Sequence, residues 1–366
     1  MTEVLVAILT IVLLSLALAV ILLVAEAVLV NYGECTLRIN DDEERVVEGG
    51  SSLLSVLMGE EIFVPSACGG RGSCGLCKVK VLEGGGPLLP TETPHLDDEE
   101  IENNVRLSCQ VKVRTDMALE IPEEILSLEQ YETEVTSIQD LNYDTRLIGL
   151  ELIDPSTLSF TPGQYIQFEC PPYGKTPEPV YRAYSVASPA TEEGSIELII
   201  RRAPGGICTT YVFEVLKEGQ SININGPYGD FYLRDTDREI VFIAGGSGIA
   251  PIRSILSQMA EQQIERKATF FYGANELRDL YLQDELREFE ENIPNLTYIP
   301  VVAEPEDEWD GETGLVTEAI DRHIEDATTQ EFYLCGSPAM IDAAVELLKE
   351  KDMPDDRAFY DKFEES

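Results

Sequence analysis

The pattern that most limits how this chain can fold is ACGGRGSCGLC at residues 67 to 77, which sets Cys68, Cys74 and Cys77 within ten residues and among four glycines. A fourth cysteine, Cys109, follows after 31 intervening residues. Three chemistries gather cysteines in this way: a disulfide knot, a zinc site and an iron–sulfur cluster. A chain of 366 residues has core enough for two to three domains, so covalent staples are not needed. Zinc prefers four ligands in two close pairs, and this segment offers one pair and two singles. A 2Fe-2S cluster needs four thiolates, and its sulfurs accept hydrogen bonds from backbone N–H groups. Gly69, Gly70, Gly72 and Gly75 let the backbone wrap such a cluster with no Cβ in the way. The spacing therefore points to a 2Fe-2S cluster on Cys68, Cys74, Cys77 and Cys109. A centre with two histidine ligands is set aside, because the only histidines, His95 and His323, are remote from the loop.

Ahead of the loop, Val4 to Ala25 reads VLVAILTIVLLSLALAVILLVA, 22 residues without a charge. As a helix this is about 33 Å long, enough for a hydrocarbon core of about 30 Å. A cleaved signal peptide is the competing reading, helped by Ala25-Glu26-Ala27. No Lys or Arg precedes the run, however, and it is longer than a signal's usual apolar core. The expected element is a retained transmembrane helix over residues 4–30. The first basic residue after it is Arg38, so charge barely sets orientation. The remainder is strongly acidic, with 26 Lys plus Arg against 68 Asp plus Glu and a formal charge of −42. Such a polyanion repels nucleic acid. A heavily solvated surface accounts for the acids. A narrower hypothesis is a salty cytoplasm, where screening over roughly 8 Å or less relieves self-repulsion; a salt titration of thermal stability that showed no stabilisation would count against it.

Three blocks follow, without internal repeats or low-complexity tracts. Residues 33–125 open with strand-like CTLRIN (35 to 40) and a short helical SSLLSVLM (51 to 58). They pass through the cysteine loop to KVKVL (78 to 82) and then to a strand-like RLSCQVKV (106 to 113). This pattern predicts a compact sheet that grips something in its Gly-rich loop. DDEEIENN (97 to 104) reads as a solvated turn or helix. Residues 130–235 carry period-2 runs, ETEVTSI, RLIGLELI, YIQFEC, YRAYSVAS, SIELIIRR and SININ, and six strands at this spacing predict an antiparallel barrel. Residues 236–366 alternate apolar runs, IVFIA, TFFYGA, TYIPVVA and FYLCG, with helical patterns, the signature of βα units on a parallel sheet. The fold class is multidomain, α+β followed by α/β.

A cluster takes one electron at a time, so something must feed it. RAYS (182 to 185) ends a strand, and APGGICTTY (203 to 211) is a Gly turn running into a helix, which suits a phosphate. IVFIAGGSGIAPIRSIL (240 to 256) is strand, glycine turn and helix, and it aims backbone donors and a helix dipole at a pyrophosphate. Alone, the Tyr of RAYS also fits a core position in a strand and each glycine motif an ordinary turn; their order is what makes them support one another. Cys35 and Cys170 read as small core residues, and Cys208 and Cys335 as site-lining.

On these residues the barrel and sheet resemble the ferredoxin-reductase superfamily, through RAYS, GGICT, GGSGIAP and YLCGSPAM. The cluster segment is similar to a plant-type ferredoxin with one extra residue in the first gap, which implies a β-grasp fold. The whole order resembles the family of F subunits of sodium-translocating NADH:quinone oxidoreductases. Similar stretches are ACGGRGSCGLC, RLSCQ, RAYSVAS, FYGANELRDLYLQDEL, EPEDEWDGETG and DKF. The segments FECPPYGKTPEPVYRAYS and RRAPGGICTT are short where that family usually carries insertions, and DKF stands where two acids commonly precede the aromatic.

The resemblance implies FAD, a 2Fe-2S cluster and NADH as cofactors. It implies that Arg182 pairs with the flavin pyrophosphate, that Tyr184 packs on the isoalloxazine, and that Ser185 sits near the reactive N5. Gly205, Gly206 and Thr209 would hold the FAD phosphates. Gly245, Gly246, Gly248 and Pro251 would receive NADH, with Cys335, Gly336 and Pro338 closing the nicotinamide side and Phe363 covering the flavin. Ser185, Cys335 and Phe363 are the candidate catalytic residues. Glu276 could bind ribose hydroxyls and favour NADH, while Arg278 leaves room for a 2′-phosphate. The implied function is a single-pass subunit of the inner (cytoplasmic) membrane, its soluble domains cytoplasmic, that moves electrons from NADH through FAD and 2Fe-2S to partner membrane subunits and quinone. Any sodium pumping would reside in those partners. The alternative is an NADH-dependent reductase of an oxygenase, or a stand-alone NADH:acceptor reductase. A purely structural role conflicts with the intact motif residues.

Overall fold

The computed structural model describes residues 2–29, 32–40, 42–305 and 309–363, apart from the side chains of 2–5, 7 and 22–29. The chain divides into two compact units, Met1–Pro65 with Gly70–Ser127, and Ser66–Gly69 with Leu128–Ser366.

The first unit begins with helix α1 (Thr2–Leu29), formed by the uncharged run. The side chains described along it, Val6 and those of 8 to 21, are exposed. Among the described residues no helix is long and apolar enough to cross a membrane. Residue 30, the expected end of the anchor, lies outside the described residues.

Beyond it come β1 (Glu34–Ile39), β2 (Glu43–Glu48), α2 (Leu53–Gly59), β3 (Lys78–Glu83), α3 (Asp98–Glu102), β4 (Val105–Leu107), β5 (Met117–Glu120) and α4 (Glu123–Leu126). The sheet runs β2-β1-β5-β3-β4, with β1 and β5 parallel and the other pairs antiparallel. Alternation in β1 turns Cys35, Leu37 and Ile39 inward, onto Leu53, Leu54 and Leu57 of α2 and the core they share. Ser52 caps α2 by accepting from the Ser55 N–H. The expected strand over RLSCQVKV does not run through: β4 stops at Leu107 and the chain turns at Cys109. The turn answers a packing demand, since Ser108 N–H donates to the Cys77 carbonyl and Val111 accepts from Leu53 N–H.

The second unit opens with β6 (Glu129–Asp140), β7 (Thr145–Asp154), β8 (Tyr165–Cys170), β9 (Val180–Ser185), β10 (Ser195–Arg201), α5 (Ile207–Glu214) and β11 (Ser221–Tyr228). The order is β10-β7-β6-β11-β8-β9, antiparallel throughout, and a bridge between Val186 and Leu198 joins the two outer strands. The sheet therefore closes on itself as the barrel expected from the period-2 runs.

Then follow β12 (Ile240–Gly245), α6 (Ile249–Glu261), β13 (Ala268–Ala274), α7 (Gln283–Asn292), β14 (Leu296–Val302), β15 (Glu312–Thr313), α8 (Val316–His323), β16 (Glu331–Gly336), α9 (Pro338–Glu350) and β17 (Ala358–Lys362). These strands form one parallel sheet, β15-β14-β13-β12-β16-β17. Its central strands are continuously apolar because both faces are covered: Phe242 and Tyr272 face one core, Val241, Ile243 and Phe271 the other.

Candidate functional site

In the first unit the loop backbone is at positive φ at Gly70, Gly72 and Gly75, conformations that an L side chain resists, so the glycines there are a steric requirement. At the end of the loop the Cys77 and Cys109 thiols meet, and this contact first, with burial second, pushes the Cys77 thiol up. Gln110 Nε2 donates to the Cys109 sulfur at 3.4 Å. Among the described residues no three His, Cys, Asp or Glu groups converge to hold a single metal ion. A two-iron cluster spreads its four thiolates over two irons, and juxtaposed buried thiols in a glycine-turned loop fit that donor set.

His95 is not remote from the loop, as the sequence suggested. A Cβ at Gly75 would stand 2.9 Å from the His95 Cβ. The cause is a buried ion pair that sequence reasoning missed. Arg106 Nη2 donates to Glu92 Oε2 at 2.6 Å and Arg106 Nε to Oε1 at 2.9 Å, while the Leu89 and Leu107 N–H groups also donate to this carboxylate. Glu92 thereby ties the short turn Thr93–His95 to β4 and brings His95 over the loop. Burial works against the Glu92 charge, but Arg106 and the two N–H groups outweigh it and hold the carboxyl below its ordinary value.

In the second unit Arg182 lies on β9, buried at 6 % exposure. Its Nη1 donates to the Tyr181 carbonyl at 2.8 Å, and among the described residues no carboxylate pairs with it. A buried guanidinium without a counter-charge is costly and suits an anionic ligand. Tyr184 packs edge-on against Phe168. Nearby, Gly205 turns the chain at positive φ and Gly206 caps α5, so no side chain caps the first N–H groups of the helix. Thr209, expected at the phosphates, closes this turn: its hydroxyl donates to the Ala203 carbonyl and accepts from the Ala203 N–H, both at 3.2 Å.

The glycine turn after β12 runs against β16. A Cβ on Gly248 would stand 2.1 Å from the Cys335 carbonyl oxygen, so only glycine allows α6 to start there, with Pro251 buried in its first turn. Gly336 follows Cys335, and Pro338 opens α9 behind the Ser337 cap. The C-terminal strand β17, which the sequence did not reveal, pairs Asp361 with Cys335 and lets the Phe363 N–H donate to the Gly336 carbonyl at 2.8 Å. Phe363 packs on the sheet core. Ser185, arriving from the barrel, places Oγ 3.4 Å from Asp361 Oδ2. Thus Ser185, Cys335 and Phe363 come together with the carboxylate of Asp361, the first residue of DKF, to which the sequence reading gave no role. Burial pushes Asp361 up to about 6, against the Ser185 hydrogen bond, and pushes the Cys335 thiol up as well. Arg201 is a second missed residue: it flanks Gly246 while its Nε donates to Asp144 Oδ2 at 2.8 Å.

At the end of β13, Glu276 and Arg278 are engaged with each other at 2.8 Å. The Arg278 guanidinium lies 4.6 Å over the ring of Tyr143, from the β6–β7 turn.

The chain matches a 2Fe-2S iron-sulfur cluster binding domain at 37–114, an oxidoreductase FAD-binding domain at 132–232 and an oxidoreductase NAD-binding domain at 242–346. It is 36% identical over 390 residues to the F subunit of the Na(+)-translocating NADH-quinone reductase of Neisseria gonorrhoeae, covering 95% of this chain and 96% of that one. The chain belongs to this F-subunit family. The Klebsiella pneumoniae member is 35% identical, over 96% of this chain and 97% of its own. Among solved structures, Amycolatopsis cytochrome P450 reductase GcoB is similar at a TM-score of 0.72 and 28% identity, over 90% of this chain and 98% of the other. A ferredoxin reductase in carbazole 1,9a-dioxygenase gives 0.69 and 27%, over the same 90% and 98%. As a member of the F-subunit family, the chain uses FAD, a 2Fe-2S cluster and NADH, one for each domain matched.

Proposed function

We propose that this chain is a membrane-anchored NADH dehydrogenase subunit that passes electrons from NADH through FAD and a 2Fe-2S cluster to a quinone-reducing membrane complex. The observation that carries the reading is the convergence of Ser185 from the barrel with Cys335 and Asp361 from the parallel sheet. When bound, FAD turns a two-electron hydride into single electrons and the cluster accepts them one at a time.

The residues do the positioning. Arg182 would neutralise the flavin pyrophosphate, with N–H groups of the Gly205–Gly206 turn beside it. Tyr184 would pack on the ring system. Gly245, Gly246 and Gly248 admit the dinucleotide backbone to the first turn of α6, and Gly336 and Pro338 shape the nicotinamide side. Phe363 would cover the flavin face until the nicotinamide displaces it. The Ser185 hydroxyl and the Asp361 carboxylate would lie beside the nicotinamide and would stabilise the positive charge that grows there as hydride leaves. Cys68, Cys74, Cys77 and Cys109 would hold the cluster. Glu276 occupies Arg278, and Tyr143 covers it, which supports NADH over NADPH.

The uncharged run within α1 is the reason for the anchor, with the nucleotide-binding domains on the cytoplasmic side of the inner membrane and other membrane subunits as partners. Anaerobic addition of NADH to the detergent-purified, reconstituted chain tests the path: flavin bleaching followed by the low-temperature EPR signal of a reduced 2Fe-2S centre is expected. Bleaching without that signal would refute the order of transfer. The likeness to oxygenase reductases favours a second reading, a reductase component with an oxygenase as client. Quinone-dependent turnover gained on adding membrane partners, and absent with an oxygenase, separates the two.

A further inference from the structure

The stretch GGSGIAPIRS (245 to 254) lends its glycines and Pro251 to the nucleotide turn, and Arg253 has no part in that role. Arg253 lies in the second turn of α6, with 13% of its side chain exposed. Its Nη1 donates to Glu197 Oε2 of β10 at 2.6 Å and to the Ala187 carbonyl at 3.0 Å, and its Nε donates to Glu285 Oε1 of α7 at 2.7 Å. The next residue, Ser254, is fully buried, and its hydroxyl donates to the Ser188 carbonyl at 2.7 Å. The barrel side of the contact is braced in turn: the Ala187 N–H donates to the Glu197 carbonyl at 2.8 Å, and the Glu197 N–H to Ser188 Oγ at 3.1 Å. One guanidinium thus joins the barrel, α6 and α7. Ala187 and Ser188 follow Ser185 by two and three residues, and Arg253 follows Gly248 by five, which is about 8 Å along a helix. Only a short length of backbone therefore separates the clamp from the end of β9, where the flavin would meet Ser185, or from the glycine turn that would admit the nicotinamide dinucleotide.

We propose that Arg253 is a positioning residue for hydride transfer: through Glu197, Ala187 and Glu285 it fixes the nicotinamide side of the parallel sheet against the flavin side of the barrel. The proposal rests on the placement of flavin and nicotinamide given above. Hydride transfer depends on the separation and alignment of two rings, and a misplacement of about 1 Å costs on the order of a hundredfold. The clamp requires a guanidinium and not only a positive charge. Arg253 Nε and Nη1 lie in one rigid plane and reach carboxylates on two different elements at once. A lysine ammonium is a single point on a flexible stem, so it keeps the charge that offsets Glu197 and Glu285 and loses the fixed geometry between them.

The full chain carrying Arg253→Lys is compared with wild type. Loaded with cofactors, the variant should bleach at saturating NADH roughly ten- to hundredfold more slowly, with the half-saturating NADH concentration changed less than about twofold. NADH deuterated at the transferred position should slow the variant at least as much as wild type, which locates the loss in the hydride step. In the flavin-free chains, hydrogen exchange read by mass spectrometry should be faster in the variant across residues 186–198 and unchanged across β12 and β13. Thr191→Ala, which removes an exposed hydrogen bond to Glu261 at the far end of α6, should leave every readout as in wild type. A wild-type bleaching rate in Arg253→Lys, or a slowed rate with a smaller isotope effect, would overturn the positioning role. Unchanged exchange across 186–198 would overturn the clamp, and faster exchange spread over β12 and β13 would reduce Arg253 to a structural residue. Equal slowing by Thr191→Ala would remove the role from Arg253. A wild-type chain that NADH did not bleach would sink the cofactor placement, and the exchange pattern would still decide the clamp.

Discussion

Glu92 is a buried carboxylate and Asp361 a half-buried one, and their environments move them in opposite directions. Glu92 meets a bidentate guanidinium and two backbone N–H groups, and its carboxyl is held down. Asp361 meets one long hydrogen bond from Ser185, and burial raises it to about 6. The first is saturated by its own chain and serves to fasten a loop. The second retains acceptor capacity, as a group that acts on a visitor must. Arg182 completes the contrast from the cationic side, since Arg106 has its carboxylate and Arg182 has none among the described residues.

The largest effect should come from breaking the saturated pair. Glu92→Gln leaves Arg106 buried and uncompensated, so stability should fall by about 3–5 kcal/mol, and the double variant Glu92→Met with Arg106→Met should lose much less than the sum. Denaturant titration monitored by the cluster's visible absorbance reads this. Because the folded Glu92 carboxyl lies below its ordinary 4.5, its contribution is complete above that pH and is lost as pH falls through the folded value. Wild-type stability should therefore decline more steeply in acid than that of Glu92→Gln.

Next, Arg182→Ala should weaken FAD binding roughly hundredfold in a flavin fluorescence titration, while Arg182→Met should leave the melting temperature of the flavin-free chain unchanged or higher. A fall in that melting temperature would show Arg182 to be paired within the chain, like Arg106.

A smaller change is expected at Asp361. Its folded value lies above the ordinary 3.8, so ionisation costs stability, and that cost grows as pH rises from about 3.8 to about 6. Over the same range the ionised carboxylate becomes available to the positive charge that would grow on the nicotinamide. The bleaching rate at saturating NADH should rise through about pH 6, and Asp361→Asn should flatten the profile and lower the rate roughly tenfold at pH 7. A step that survives in the variant would assign the titration to another group.

The smallest effect concerns the nucleotide. Glu276→Gln releases Arg278 from its partner, and kcat/KM for NADPH should rise by about five- to tenfold, more when Tyr143→Ala is added. No gain in the double variant would place the 2′-position elsewhere.

The cysteine spacing, the six period-2 runs and the glycine turn at Gly245–Gly248 were legible because each is a local demand on backbone geometry. Ser185 and Cys335 were reached the same way, by motif. Asp361 stood in the DKF stretch without a role, since its place in the site depends on β17 aligning with β16 and on a hydrogen bond spanning 176 residues of sequence. Glu92 escaped for a similar reason: in a chain with 68 acids, one buried carboxylate looks like the rest until its partner is seen. His95 was placed away from the cluster loop because that ion pair, which folds residues 93 to 95 back over Gly75, leaves no periodic trace.

The joining of Val186 to Leu198 also bears on how crowded copies of the chain behave. A closed barrel offers no unpaired strand for a neighbour to extend. Three of the four edges of the open sheets are protected by other means: β15 is two residues long, β4 three, and β2 carries Glu43, Glu44 and Glu48 along its border. Intermolecular strand addition, the first step towards aggregates, thus meets a short or charged rim at each of these edges.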